Sequence, residues 1–137
     1  KLKEAVLLNN KQLDRLDNDY GKLLSDYVKQ FINEFNISKV DLISSHGHTI
    51  FHQPNKGITL QIGDGKTINN NTQIDVVSDF RTQDIEYKGE GAPLVPIGDL
   101  NLFYKYKYCL NLGGFSNISI KDKKKLKPLI YAQLILY

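Results

Sequence analysis

The chain has 137 residues, 41% apolar and 24% charged, with only 4 prolines and 10 glycines, a composition that can build a packed core and excludes wholesale disorder. Its net charge of +3 comes mostly from the lysine run at residues 121–127, which excludes the broad basic face that nucleic-acid binding needs. The single cysteine, Cys109, excludes an internal disulfide and fits a reducing compartment; no apolar run is long enough to span a bilayer, and no signal-peptide pattern opens the chain.

In chain order, the first strong pattern starts at Tyr20. Leu23, Leu24, Tyr27, Val28, Phe31, Ile32 and Phe35 recur at i, i+3, i+4, i+7, which predicts an amphipathic helix over residues 19–35, capped at Asn18 or Asp19 and stopped at Asn36. Residues 10–16 suit a short helix before it. The period then changes. Residues 40–46 read as a buried strand ending in the polar cluster His46-Gly47-His48-Thr49. Residues 58–62 and 74–78 read as further strands, with a helical turn at 67–72 between them. Residues 94–106 suit a second helix, interrupted by Pro96 and Gly98. Residues 108–112 form a strand running into Gly113-Gly114, and residues 117–121 pair with a return strand from Lys125 through a turn at Asp122-Lys123. Strands alternating with helices and ending in polar or glycine-rich turns define an α/β chain.

Three of these turns could carry chemistry. Ser45-His46-Gly47-His48-Thr49-Ile50-Phe51-His52 holds every histidine of the chain. Three histidines on one strand face could bind a metal, but no cysteine or acidic fourth ligand lies at a usual spacing, so a pocket for hydroxyl or carboxylate groups is preferred and no metal site is expected. In Val76-Val77-Ser78-Asp79-Phe80-Arg81 a strand delivers a carboxylate at its C-terminal end, where α/β sheets bind ligands. Asp79 suits a general base tuned by the nearby guanidinium; the plainer alternative is an Asp that caps the next segment or pairs with Arg81. In Leu110-Asn111-Leu112-Gly113-Gly114-Phe115-Ser116-Asn117-Ile118, paired glycines after a strand let backbone N–H groups approach a phosphate, and serve equally as a hairpin turn. The lysine and glycine spacing of a Walker loop or a dinucleotide fingerprint are absent.

Taken together, these segments resemble the anhydro-N-acetylmuramic acid kinase family over most of the chain. The resemblance rests on five stretches in order: Asp41-Leu42-Ile43-Ser44-Ser45-His46-Gly47-His48-Thr49-Ile50-Phe51-His52, Thr59-Leu60-Gln61-Ile62-Gly63-Asp64, Val76-Val77-Ser78-Asp79-Phe80-Arg81, Gly89-Glu90-Gly91-Ala92-Pro93-Leu94-Val95-Pro96, and the Gly113-Gly114 segment. It implies part of a two-lobed, ribonuclease-H-like ATPase fold of the actin, Hsp70 and hexokinase type. Residues 1–90 would complete the first lobe and residues 91–137 begin the second. It also implies a cytoplasmic, homodimeric enzyme that uses ATP and Mg2+ to open the 1,6-anhydro bridge of anhydro-N-acetylmuramic acid with water and to phosphorylate the freed 6-oxygen, a step of cell-wall recycling. Asp79 would be the base on the water. His46, Gly47, Thr49 and Arg81 would lie at the sugar, and Gly113, Gly114 and Asn117 at a phosphate.

The chain departs from the family pattern in several places. His48 stands where the family's His-Gly-Gln-Thr motif has Gln. The family's N-terminal Gly-Thr-Ser phosphate loop and its C-terminal adenosine region have no match here, and the chain opens on Lys1 without methionine, so it reads as an internal fragment, catalytically incomplete alone. From Pro128 the likeness ends. Back-translated and shifted by one base, residues 128–137 can encode Phe-Asp-Ile-Cys-Pro-Ala-Asn-Ile-Ile, which resembles the family's next motif and suggests a shifted reading frame. The alternative to a kinase fragment is a non-catalytic truncated product that keeps part of the fold.

Overall fold

A computed structural model describes residues 2–112, 115–122 and 125–133. The chain divides into two compact units, residues 1–91 and 92–137, and is a mixed α/β protein with small sheets. Among the described residues no helix is long and apolar enough to cross a membrane.

The first unit opens with a 3-10 turn, Leu2–Leu7, and the long helix α1, Asn10–Glu34. α1 starts well before the expected residue 19, and the separate helix expected over 10–16 is its opening. The cause is a capping box. Asn9 N–H donates to Gln12 Oε1 and Gln12 N–H donates to Asn9 Oδ1, both at 3.0 Å, so two unpaired donors of the first turn are met there. Asn18, expected as the cap, instead donates its side-chain amide to Asp14 O at 2.8 Å within the helix. At the other end Asn36 stops α1 as expected. It adopts φ 50°, Asn36 N–H bonds to Asn33 O at 3.2 Å, and Ile37 N–H bonds back to Ile32 O at 2.9 Å, the closing pattern of a Schellman motif.

α1 buries only one side of its apolar stripe, with Leu24, Val28 and Ile32 half-buried beside Gly21 and Ser25. Leu13, Gly21 and Ser25 are buried, whereas Tyr27 and Phe31 are exposed. Gly21 lets the helix approach the segment at Asp64 and Thr67, where an added methyl group would lie 3.0 Å from Asp64 O and 3.1 Å from Thr67 Cβ.

The strands follow. β1 is Ile43–Ser44, shorter than the expected 40–46; β2 is His48–Gln53 and β3 is Ile58–Ile62. β2 was read as a turn rather than a strand. A 3-10 turn at Pro54–Lys56 joins it to β3 in an antiparallel pair. α2, Gly65–Thr72, is capped by Asp64, whose side chain accepts from Thr67 N–H. β4, Val76–Val77, lies parallel to β1 in the register Ile43 with Val76 and Ser44 with Val77. α3, Thr82–Glu86, closes the unit. The core combines Ala5, Leu13, Ile62 and Ile68.

In the second unit α4 spans Leu94–Leu102 and ends at Phe103, one turn short of the expected residue 106. Pro96 falls in the first turn, where its missing N–H would have no helical partner anyway. β5 (Tyr108–Leu112), β6 (Phe115–Asp122) and β7 (Lys125–Gln133) form an antiparallel sheet in that order. Buried Ser119 donates to Asp99 Oδ2 at 2.5 Å, tying α4 to the sheet.

Candidate functional site

β1 and β4 run in parallel and stop at the same level, with Ser45 N–H bonded to Val77 O at 2.9 Å. Each therefore hands its next residues to one edge: Ser45-His46-Gly47 from β1 and Ser78-Asp79 from β4. The C-terminal edge of parallel strands is where open α/β sheets bind ligands. The end of β3 adds Gly63-Asp64-Gly65. Together they surround a cavity of about 210 Å3, lined also by Asp17, Thr59, Leu60, Gln61, Ile62 and Thr82.

These turns interlock because three of their residues are glycine. Gly47 (φ 69°) and Gly63 (φ 118°) adopt left-handed backbone, a region costly for L side chains. A Cβ at Gly47 would collide with Ile62 O, and one at Gly63 would lie 3.5 Å from Gly47 Cα and 3.0 Å from Leu24 Cδ1. A Cβ at Gly65 would collide with Ser78 Oγ. The Gly47 and Gly63 turns are thus in backbone contact, and the Gly65 backbone meets the Ser78 side chain.

Asp79 holds a left-handed conformation, φ 56°. Its Oδ1 accepts from Thr82 N–H at 3.2 Å and from Thr82 Oγ1 at 2.6 Å, so it caps the turn into α3. It does not pair with Arg81, as one of the sequence readings had it, and the guanidinium does not sit on its carboxylate. Arg81 Nε donates to His46 Nε2 at 2.8 Å, and its NH1 donates to Gly91 O at 2.6 Å. Asp84 Oδ2 accepts from Gly91 N–H at 2.7 Å, holding the same residue from its other side. Among the described residues the hydrogen bonds of the Asp79 carboxylate fall on Oδ1; the residue is exposed and lines the cavity.

Of the residues expected at the sugar, His46 and Gly47 line the cavity; Thr49 and Arg81 are not among its lining residues. Arg81 lies behind His46. Thr49 is on β2, opposite Gln61. His48 packs edge-on against Tyr20 of α1, ring centroids 6.1 Å apart, so the residue that departs from the family motif is engaged with the helix. Partial desolvation and the Arg81 charge hold His52 below the usual imidazole range, against the opposite pull of Glu90. Among the described residues no group of three or more His, Cys, Asp and Glu is placed to hold a metal ion. Gly113 and Gly114 lie outside the described residues. Asn117, in the second unit, faces Asn111 across β5 and β6.

Asp17 was not singled out from the sequence, and Asp64 entered only as the last residue of the stretch Thr59-Leu60-Gln61-Ile62-Gly63-Asp64. Asp17 Oδ1 accepts from Gly63 N–H at 2.6 Å, while Asp64 Oδ2 accepts from Thr67 N–H and Thr67 Oγ1, both at 2.7 Å. Asp64 was readable as a helix cap followed three residues later by Thr67. Nothing local marks Asp17, whose partner is 46 residues away.

Comparison with known proteins adds a family. The sequence model described as anhydro-N-acetylmuramic acid kinase matches residues 3–127. Proteins named anhydro-N-acetylmuramic acid kinase from Shewanella putrefaciens and Shewanella baltica are each 44% identical over 115 residues, covering 79% of this chain and 31% of theirs. A third of that name, from Shewanella denitrificans, matches to the same extent. The chain thus spans about a third of the length of the curated relatives it matches.

Proposed function

The chain belongs to the anhydro-N-acetylmuramic acid kinase family, and on that premise we propose that its cavity is the sugar side of an ATP-dependent kinase site within a ribonuclease-H-like, two-lobed fold. The observation that carries this reading is the meeting of Asp79, His46 and Gly47 at the common end of two parallel strands. The substrate is 1,6-anhydro-N-acetylmuramic acid and the product N-acetylmuramic acid 6-phosphate, in the setting of cytoplasmic cell-wall recycling.

Asp79 acts as general base. Thr82 holds Oδ1 and orients the carboxylate, so that Oδ2 can take a proton from a water molecule aimed at the anomeric carbon. As that water's oxygen bonds to the carbon, the bond from the carbon to the bridging 6-oxygen breaks, and the freed oxygen becomes the acceptor. His46 and Gly47 form the wall beside it. ATP, when bound, supplies the phosphoryl group, and its Mg2+ neutralises phosphate charge. Magnesium bound to a nucleotide is held by phosphates, water and one or two carboxylates; Asp17 and Asp64 serve the protein's own turns instead, accepting from Gly63 N–H and Thr67 N–H. Gly113, Gly114 and Asn117 are the proposed phosphate contacts, and a homodimer is the proposed assembly.

The test is a chimera in which residues 3–127, the family-matched part, replace the corresponding stretch of the Shewanella putrefaciens relative. With Mg-ATP and the anhydro sugar, phosphorus NMR should show a sugar 6-phosphate formed together with ADP. A folded chimera that binds ATP but yields no phosphosugar contradicts the reading.

A further inference from the structure

The cavity's turns do not hold themselves in place; they rest on α1. We propose that Asp17 is a positioning residue for this site, setting the Gly63 turn and, through it, the Gly47 wall beside His46. The inference deepens the sugar-site reading and rests on it for its catalytic consequence.

Three contacts carry it. Gly63 is a buried residue directly after β3, and its N–H donates to Asp17 Oδ1 at 2.6 Å. A carboxylate accepting from a backbone amide is among the stronger hydrogen bonds, and a buried amide left without a partner is costly. The next residue also leans on the helix, because Asp64 N–H points at Asp17 O at 3.4 Å and Gly21, one turn on, lets α1 come this close. Finally, the Gly47 turn packs on the end of β3: a Cβ at Gly47 would collide with Ile62 O, the residue before Gly63, and one at Gly63 would be in ordinary contact with Gly47 Cα at 3.5 Å. A shift of the Gly63 turn is therefore passed to Gly47 and to the His46 beside it. Asp17 touches the site from outside the reacting groups and sets where the wall stands.

The consequence is a separation between binding and chemistry. In the chimera, Asp17→Ala should raise KM for the anhydro sugar about tenfold, the scale of one lost charge-assisted hydrogen bond, with kcat changed less than about threefold. Asp17→Asn keeps an oxygen at the same place and should stay within about threefold in both. A general loss of folded protein would instead lower the apparent kcat and leave KM unchanged.

A second measurement stands apart from activity. In NMR spectra of the 137-residue chain, Asp17→Ala should speed hydrogen exchange of the Gly63 amide at least about tenfold, the same lost bond in exchange terms. It should also shift the amides of His46 and Gly47 while leaving Ser119 unmoved. In the unsubstituted chain the Gly63 amide proton should follow titration of the Asp17 carboxyl, told from neighbouring Asp14 and Asp64 by their own carbon signals. A Gly63 amide indifferent to both the substitution and the titration overturns the proposal, as does Asp17→Asn proving as damaging to KM as Asp17→Ala. If the unsubstituted chimera makes no phosphosugar, the functional reading fails, and the NMR result still decides whether Asp17 positions the turn.

Discussion

Arg81 Nε stands 2.8 Å from His46 Nε2, and because a guanidinium only donates, that ring nitrogen is the acceptor. The imidazole proton is then on Nδ1, 3.1 Å from Gly47 O. One arginine thus sets the tautomer of a cavity residue and, through Gly91 O at 2.6 Å, ties it to the end of the first unit.

This arrangement should not survive a change to lysine. Two donors spaced on one rigid plane reach His46 and Gly91 together, whereas an ammonium is a single point of charge. Nitrogen NMR of the unsubstituted chain should show His46 protonated at Nδ1, and Arg81→Lys should give mixed tautomers and a loss of about 1–2 kcal/mol in urea unfolding. A protonated Nε2 in the unsubstituted chain would contradict the assignment.

Gly47 and Gly57 share nearly the same backbone, φ 69° and 68°, but not the same surroundings. A Cβ at Gly57 meets nothing within 4 Å, whereas at Gly47 it collides with Ile62 O. Gly57→Ala should therefore cost about 1–2 kcal/mol, the left-handed backbone penalty alone. Gly47→Ala should cost clearly more, because the β3 end must also move. Equal losses in denaturant unfolding would mean that the Gly47 turn is not locked against β3.

The fold was legible wherever one residue type decides a local geometry. The apolar period announced α1, Asn36 its stop, and Val76-Val77 the strand before Asp79. The start of α1 was missed because its cap lies in Asn9 and Gln12, ahead of the apolar residues that mark the helix. β2 was missed because the glycine at 47 and the histidines around it outweighed the strand character of Thr49-Ile50-Phe51. At the site, His46, Gly47 and Asp79 could be read from the ends of strands. What Arg81 touches could not, since a neighbour two residues from Asp79 proved to serve His46 instead, 35 residues away. Asp17 was hidden for the same reason: its role exists only once α1 and the end of β3 meet.

Asp17 and Asp64 lie side by side yet are displaced in opposite directions. Burial raises the Asp17 carboxyl above its ordinary value of 3.8, helped by the charges of Asp64 and Asp14 and opposed by backbone hydrogen bonds from Gly63 and Asp64. Burial also pushes Asp64 up, but hydrogen bonds from Thr67 and Lys66, with the Lys66 charge, outweigh it and hold that carboxyl below 3.8. Asp17 binds its proton more tightly folded than unfolded, so its ionised form disfavours folding above its folded value, and that penalty vanishes as pH falls to 3.8. Asp64 has the reverse sign: its stabilisation is complete above 3.8 and is lost as pH falls through its lower folded value. Near neutral pH, Asp17→Asn should be as stable as the unsubstituted chain or more so, and Asp64→Asn less stable. Both differences should shrink in acid, and urea titrations across this range check the signs.

Asp79 is the proposed base. Asparagine suits its left-handed backbone and can still accept from Thr82 through Oδ1, so Asp79→Asn removes the basic carboxylate and little else. In the chimera, kcat should fall roughly 10²- to 10⁴-fold, the usual scale of lost general-base help, while sugar KM changes little. Asp64→Asn, which keeps a cap for α2, should leave kcat within about threefold, since Asn caps a helix about as well as Asp. Near-normal kcat in Asp79→Asn, with a collapse in a folded Asp64→Asn, would contradict the assignment of the base.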